Sequence, residues 1–232
     1  MLIHDNISRV REEMAAASAR AGRPTAETEL LIVSKTFPPD LIGEAAAYPH
    51  RDFGESRVQE AMEKIPQLPA SLRWHFIGHL QANKVRRILP FCEVFHGVHS
   101  LGLARDLDRI AAELGLRPQI YLQVNVADDA AKFGFSPASL REAFESLLHC
   151  RRLDILGLMT IPSYSPDPEK SRPHFAALRK LRDQIETEFS VHLPGLSMGM
   201  SGDFPVAIEE GATIVRVGSR IFGSRPGSAA PQ

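Results

Sequence analysis

The stretch Glu29-Leu-Leu-Ile-Val-Ser-Lys35 is a short apolar run, rich in branched side chains, with no alternation of polar residues. A strand with this composition is buried on both faces, as in parallel sheets covered by helices. The run ends in two polar residues, Ser34 and Lys35. The segment therefore predicts a strand of a covered sheet with an amine at its carboxyl end.

Outward from this strand, short apolar segments alternate with amphipathic segments along the chain. The predicted strands are 29–35, 52–54, 74–78, 94–98, 119–125, 154–159, 196–199 and 213–218. The predicted helices are 40–48, 58–65, 81–89, 101–114, 137–149, 169–189 and 204–210. An extra helix over 5–21, with Asp5 or Asn6 as its N-cap, precedes the first strand.

This order of elements predicts an α/β fold, a (β/α)8 TIM barrel, because a doubly wound sheet usually needs only about five or six strands. Seven or nine strands would fit almost as well. No linker rich in Gly, Ser or Pro divides the chain, so we expect one barrel domain over residues 1–223. The small residues and prolines of 224–232 predict a flexible C-terminal tail.

The composition excludes several classes of protein. The chain has 232 residues with 27 Lys and Arg against 28 Asp and Glu, so it has no basic surplus for nucleic acid. Its two cysteines, Cys92 and Cys150, form neither a disulfide framework nor a zinc-ligand spacing, which favours a reducing compartment. We find no signal peptide and no apolar segment of about 20 residues, so we expect a cytoplasmic protein without a membrane span.

In a β/α barrel the reacting groups follow the carboxyl ends of the strands. Lys35 ends an apolar strand, where partial desolvation disfavours the ammonium form and leaves an amine that can form a Schiff base with a carbonyl. Taken alone, such a lysine more often points into solvent or pairs with a carboxylate, here Glu55. The segments after the seventh and eighth strands, Ser201-Gly-Asp203 and Gly218-Ser219, occupy the usual phosphate-binding position of this fold. Together these features favour a phosphorylated aldehyde as the ligand.

The histidines do not predict a metal site. His75 and His79 have the i, i+4 spacing of a metal-binding helix, but the segment reads as a strand, which points the two side chains in different directions. His96 and His99 have no carboxylate nearby in the sequence, and we interpret them as structural.

Six segments carry a resemblance to a known family. They are Leu31-Ile-Val-Ser-Lys-Thr36, Phe53-Gly-Glu-Ser-Arg-Val-Gln-Glu60, Trp74-His-Phe-Ile-Gly-His-Leu-Gln-Ala-Asn-Lys84, Gly157-Leu-Met-Thr-Ile-Pro162, Leu196-Ser-Met-Gly-Met-Ser201 and Val215-Arg-Val-Gly-Ser-Arg-Ile-Phe-Gly223. With them the chain resembles the pyridoxal phosphate homeostasis proteins, whose fold is like the N-terminal barrel domain of alanine racemase. The matching segments spread over nearly all of residues 1–223.

The resemblance implies that Lys35 holds pyridoxal 5′-phosphate (PLP) as a Schiff base. It also implies that Ser201, Gly218 and Ser219 hold the phosphate and that Arg216 faces the pyridine nitrogen. Where the family usually has Phe-Gly-Glu-Asn, this chain has Ser56, so a ring contact made by the asparagine is lost or passes through water here.

The function implied is binding, storage or delivery of PLP, with little or no catalytic turnover and with PLP-dependent apo-enzymes as candidate recipients. A racemase would need a second base, and of the three tyrosines only Tyr164 is a candidate. The alternatives are an amino-acid racemase that uses the barrel alone and a barrel enzyme for a phosphorylated sugar that uses Lys35 without a cofactor. We expect a monomer, since the second domain of the racemase is missing.

Overall fold

The computed structural model describes residues 2–129 and 131–223, which form a closed barrel of eight parallel strands. The strands are β1 (Glu29–Val33), β2 (Asp52–Glu55), β3 (Arg73–Phe76), β4 (Val94–Val98), β5 (Gln119–Gln123), β6 (Asp154–Met159), β7 (Gly195–Met200) and β8 (Ile214–Val217). Each strand pairs with the next, and β8 pairs with β1 to close the barrel. The predicted fold and strand number are therefore confirmed. The predicted tail, 224–232, lies outside the described residues.

Helices surround the strands. They are α1 (Ile3–Arg20), α2 (Pro39–Ala46), α3 (Val58–Lys64), α4 (Val85–Ile88), α5 (Leu101–Leu114), α6 (Pro137–Leu148), α7 (Arg172–Phe189), α8 (Phe204–Glu209) and α9 (Ser219–Phe222). Short 3-10 turns occupy Thr25–Glu27, Ile65–Gln67, Ala82–Lys84 and Pro168–Ser171. Across the described parts of the chain, we find no helix with the length and apolarity to cross a bilayer.

Three predicted helices differ from the structure at their amino-terminal ends. The first begins at Ile3, so the prediction of Asp5 or Asn6 as the N-cap is wrong; the buried side chain of Ile3 extends the helix by half a turn. The helix predicted from residue 169 has a 3-10 first turn, because Pro173 has no N–H to donate to the carbonyl four residues earlier. The helix predicted over 81–89 divides into a 3-10 turn and the short α4.

Side chains alternate between the layer under the helices and the inside of the barrel. On β1, Leu30 and Ile32 belong to the large outer core, whereas Leu31 belongs to a small inner cluster. The inner cluster contains Leu31, Val94, Tyr121, Met159 and Ile214. This alternation follows from the period of two residues in a strand. It directs the side chains of the odd-numbered residues at the carboxyl end of β1 towards the inside of the barrel.

Candidate functional site

A pocket of about 370 Å³ lies at the carboxyl end of the barrel. Its lining comes from the carboxyl ends of β1, β7 and β8 and from the segments that follow β1, β3, β6, β7 and β8. The lining residues are Val33, Lys35, Phe37, Ile77, Ile161, Pro162, Ser163, Tyr164, Ser165, Met200, Ser201, Gly202, Asp203, Arg216, Gly218 and Ser219. Five of the six predicted cofactor residues therefore share one pocket, namely Lys35, Ser201, Arg216, Gly218 and Ser219.

Lys35 lies two residues beyond the end of β1 and is half-buried in this lining. The next residue, Thr36, has a φ of 71°, in the left-handed region that branched side chains rarely adopt. Two contacts hold this turn: the Thr36 N–H donates to Glu60 Oε1 over 2.5 Å, and the ring of Phe37 stacks on Phe222 at 4.7 Å. The surrounding structure thus fixes the backbone that presents Lys35.

A buried ion pair lies on the outer side of the same strand end. Glu55 accepts hydrogen bonds from Ser34 Oγ at 2.8 Å and from Lys64 Nζ at 3.2 Å. Lys64 Nζ also donates to the Ser34 carbonyl oxygen over 3.2 Å. Burial raises the pKa of the Glu55 carboxyl, and the charge of Lys64 opposes that rise. Lys64 therefore compensates the Glu55 charge and ties α3 to the residue that precedes Lys35.

The turns after β7 and β8 line the same pocket as Lys35. The Gly218 N–H donates to Ser201 Oγ over 3.2 Å, which joins the two turns. Asp203 Oδ1 accepts a backbone N–H of its own turn over 2.7 Å. A side chain at Gly218 would place its Cβ 2.9 Å from the Val33 carbonyl oxygen, so the backbone passes close to β1 here. Hydroxyl groups and backbone N–H groups at this end form a donor set suited to an oxyanion.

Arg216 forms the floor of the pocket and is 4% exposed. Its Nη1 donates to Ser197 Oγ over 2.6 Å and its Nη2 donates to the Thr160 carbonyl oxygen over 2.9 Å. Burial lowers the pKa of Arg216 to about 10, so the guanidinium remains charged at neutral pH. The site therefore has, at the floor of the pocket, a cation that can only donate hydrogen bonds.

The structure does not bring Ser56 into this pocket. Ser56 is half-buried at the end of β2, and its carbonyl oxygen lies 2.0 Å from the position that a Cβ on Gly78 would take. The backbone after β2 and β3 is thus in close contact at this point. In the described protein the side chain of Ser56 is not part of the lining.

Several lining residues were not predicted as site residues. They include Val33, Phe37, Ile77, Ile161, Pro162, Ser163, Ser165 and Met200. The side-chain alternation that directs Lys35 inward also directs Val33, two residues earlier, and this signal is present in the sequence. Ile77 directly follows the end of β3, and Ile161 is the second residue after the end of β6. Residues at these positions form the functional sites of such barrels. These apolar side chains can cover the faces of a planar ring.

The histidines that follow the strands do not line the pocket. His79 stacks on Phe133 with ring centroids 3.9 Å apart, and His99 lies 4.5 Å from His79. Over the residues that the structure describes, no group of three or more His, Cys, Asp or Glu side chains is arranged to hold a metal ion.

Comparisons with known proteins agree over almost the whole barrel. The family model described as alanine racemase, N-terminal domain, matches residues 6–226. A pyridoxal phosphate homeostasis protein of Aquifex aeolicus is 44% identical over 222 residues, which cover 95% of this chain and 97% of that protein. PipY of Synechococcus elongatus, solved with PLP bound, is 40% identical with a TM-score of 0.81 and covers 92% of this chain and 100% of its own. An alanine racemase of Clostridium difficile has a TM-score of 0.74 at 16% identity over 97% of this chain and 57% of its own, a likeness of fold alone.

Proposed function

Since the chain belongs to the family of pyridoxal phosphate homeostasis proteins, we propose that it binds PLP in the pocket at the carboxyl end of its barrel. Lys35 holds the cofactor as a Schiff base, and the protein serves PLP homeostasis in the cytoplasm with little or no catalytic turnover. One observation supports the proposal above all others: Lys35, Arg216, Ser201 and Ser219 all line a single pocket.

The residues of the pocket fit the chemistry of this group. The volume of the pocket, about 370 Å³, lies within the range of about 300–1,000 Å³ typical of small-molecule sites. Condensation of the Lys35 amine with an aldehyde forms a C=N bond and releases water. Ser201 and Ser219 supply hydroxyl donors for a phosphate, Gly218 allows a close approach to the backbone of the same turn, and Arg216 supplies a donor for a ring nitrogen.

Arg216 also supports the low catalytic turnover that we propose. A permanently charged guanidinium can donate a hydrogen bond to a pyridine nitrogen but opposes its protonation. An unprotonated ring withdraws electrons less strongly, and enzymes that generate full carbanions on PLP commonly place a carboxylate at this position. The donor at Arg216 therefore suits storage and delivery of the cofactor.

The test is the visible spectrum of the purified protein after incubation with PLP. We expect absorbance typical of a PLP imine in the wild type, loss of that absorbance in Lys35→Ala, and attachment of the reduced cofactor to Lys35 after borohydride treatment. Lys180→Ala, which removes an exposed lysine of α7, is the matched control and should retain the wild-type spectrum. A colourless wild type would contradict PLP binding and favour the sugar-phosphate alternative.

The racemase alternative depends on Tyr164, which lines the pocket and is 89% exposed. A residue so open to solvent is poorly held for proton transfer at a fixed atom. We expect racemisation of L-alanine by the PLP-loaded protein to stay at the level of the free cofactor, and Tyr164→Phe to leave that level unchanged. Turnover that requires the Tyr164 hydroxyl would establish the enzyme instead.

The recipients that we propose for the bound cofactor are PLP-dependent apo-enzymes, and we propose that the protein acts as a monomer. Reactivation of a purified apo-enzyme by the PLP-loaded protein, compared with Lys35→Ala incubated in the same way, tests the transfer. Light scattering after size exclusion tests the monomer.

A further inference from the structure

A chain of hydrogen bonds runs through the inside of the barrel from Arg216 to the opposite end of the strands. Arg216 Nη1 lies 2.6 Å from Ser197 Oγ, and Ser197 Oγ lies 2.7 Å from His96 Nδ1. His96 Nε2 lies 2.9 Å from His75 Nδ1, and His75 Nε2 lies 3.1 Å from Asp52 Oδ1. The chain joins five strands, and its link from β4 to β7 crosses the barrel interior.

These side chains are polar groups in a region that such barrels normally fill with branched apolar residues. His96 and Ser197 are fully buried, and His75 is 1% exposed. The ring of Tyr121 stacks on His96 with the centroids 4.6 Å apart and covers it from one side. Buried polar groups are costly unless every one of them is paired, so a fully connected chain specifies one arrangement of its members.

The two ends of the chain determine the direction of every hydrogen bond. Arg216 can only donate, so Ser197 Oγ accepts from it. At the other end, burial favours protonation of Asp52, but the hydrogen bond from His75 and the nearby charges outweigh burial and lower the pKa of the carboxyl. Asp52 is therefore an ionised acceptor, and His75 donates to it from Nε2.

The histidines between these ends are neutral. Burial lowers the pKa of His75 and lowers that of His96 further. A neutral His75 with its proton on Nε2 accepts at Nδ1, so His96 donates from its own Nε2. His96 then accepts at Nδ1, and the Ser197 hydroxyl donates to it. All donors thus point from Arg216 towards Asp52.

We propose that Asp52, His75, His96 and Ser197 are positioning residues for Arg216. The anion at Asp52 sets one proton on each imidazole, which turns the Ser197 hydroxyl so that its lone pairs face the guanidinium. Arg216 is thereby held in one plane, with the Thr160 carbonyl oxygen as its second acceptor. This inference rests on the proposed function only for its consequence, that the state of Asp52 alters the PLP spectrum from the opposite end of the barrel.

The arrangement of protons can be measured without PLP. In the apo-protein with ¹⁵N-labelled histidine, we expect the NMR signals of His75 and His96 to show neutral rings protonated on Nε2 at neutral pH. In Asp52→Asn the directing anion is lost, and we expect one or both rings to leave that tautomer. Arg73→Gln is the matched control, since it removes the ion pair of Asp52 with Arg73 at 3.3 Å and leaves the carboxylate in place.

The PLP-loaded protein provides the second readout. We expect Ser197→Ala to weaken PLP binding about tenfold, the order of one lost hydrogen bond to a charged group, and to shift the absorbance of the bound cofactor. Asp52→Asn should shift the same absorbance although Asp52 does not line the pocket. Ser18→Ala is the control for loss of a buried hydroxyl, because Ser18 Oγ lies in α1 and has no hydrogen-bond partner among the described residues.

The outcomes separate the two proposals. Protonation of His75 or His96 on Nδ1 in the wild type overturns the chain whether or not PLP binds. A wild type that binds PLP, with Ser197→Ala and Asp52→Asn folded and spectrally identical to it, overturns the positioning role and leaves the proposed function intact. A wild type that binds no PLP overturns the proposed function, while the NMR result still decides the arrangement of the chain.

Discussion

At the scale of single residues, Gly218 leaves little room for a side chain at the pocket. Its hypothetical Cβ would lie 2.9 Å from the Val33 carbonyl oxygen and 3.2 Å from Val33 Cβ. Gly218→Ala must therefore push the turn after β8 away from β1. We expect a loss of about 1–3 kcal/mol of unfolding free energy and roughly tenfold weaker PLP binding, measured by urea denaturation and by titration.

The control for this change is Gly43→Ala on α2, where the added Cβ would meet no described atom within 4 Å outside its chain neighbours and its own helix backbone. That substitution should raise the unfolding free energy by about 0.5–1 kcal/mol, because alanine favours a helix, and should leave PLP binding unchanged. If Gly218→Ala bound PLP as tightly as the wild type, the close contact with β1 would not be what shapes the phosphate end.

The positive charge of Lys64 compensates the negative charge of the buried Glu55, next to the strand that precedes Lys35. Removing one partner of such a pair leaves an uncompensated charge in a dry environment, so Lys64→Met should cost about 3–5 kcal/mol of unfolding free energy. The double variant Glu55→Gln with Lys64→Met should recover much of that loss. A double variant that is no more stable than Lys64→Met in urea would show that the uncompensated charge is not the cause.

Among the helices and strands, α1 supports the turn after β8 from outside the barrel. Asn6 Nδ2 donates to the Ile221 carbonyl oxygen over 2.8 Å, and Arg220 Nη1 pairs with Glu13 at 2.5 Å. We expect Asn6→Ala to cost about 1 kcal/mol and to speed hydrogen exchange in α9, with no such change in the exposed-residue control Asn83→Ala. Exchange in α9 as slow as in the wild type would mean that α1 does not hold this turn.

Sequence patterns determine the elements better than they determine the contacts between them. All eight strands were predictable, since an apolar run bounded by turns is a local signal. The N-cap of α1 was missed because Ile3 is drawn into the helix by burial against other elements, and the start of α7 because Pro173 changes only the first turn. Local propensity gives no information about the burial of Ile3, whereas the effect of Pro173 is local and is confined to one turn.

The same distinction applies to the site. Lys35, Ser201 and Gly218 stand at strand ends, where the fold itself indicates them. The chain from Arg216 to Asp52 could not be predicted, because His96 and Ser197 are 101 positions apart in the sequence and meet only when the barrel closes. No residue close to His96 in the sequence indicates its hydrogen-bond partner. For this reason the sequence alone led to the interpretation of His96 as structural.

At the scale of the whole barrel, the buried neutral histidines predict that the free energy of unfolding depends on pH. The folded-state pKa values of His75 and His96 are lowered by burial, whereas in the unfolded chain they return to about 6.5. Below that value the unfolded chain binds protons that the folded one excludes, so stability is lost as the pH falls. Each histidine contributes a slope of up to about 1.4 kcal/mol per pH unit.

Urea denaturation at several pH values between about 7 and 5 tests this expectation. His149→Gln, at the exposed end of α6, should keep the wild-type slope, and His96→Gln should reduce it. Unfolding free energies that are constant over this interval would mean that the two rings take up a second proton as readily in the native protein as in the unfolded chain.

The pairing of β8 with β1 joins the first and last strands of the barrel, with Ile32 beside Val217. Lys35 and Gly218 stand on the two sides of that seam. A nascent chain that has been synthesised only as far as β7 contains Lys35 but lacks the turn after β8. Its pocket is therefore incomplete. On the proposed mode of binding, PLP is therefore retained only by a chain whose synthesis has reached the last strand.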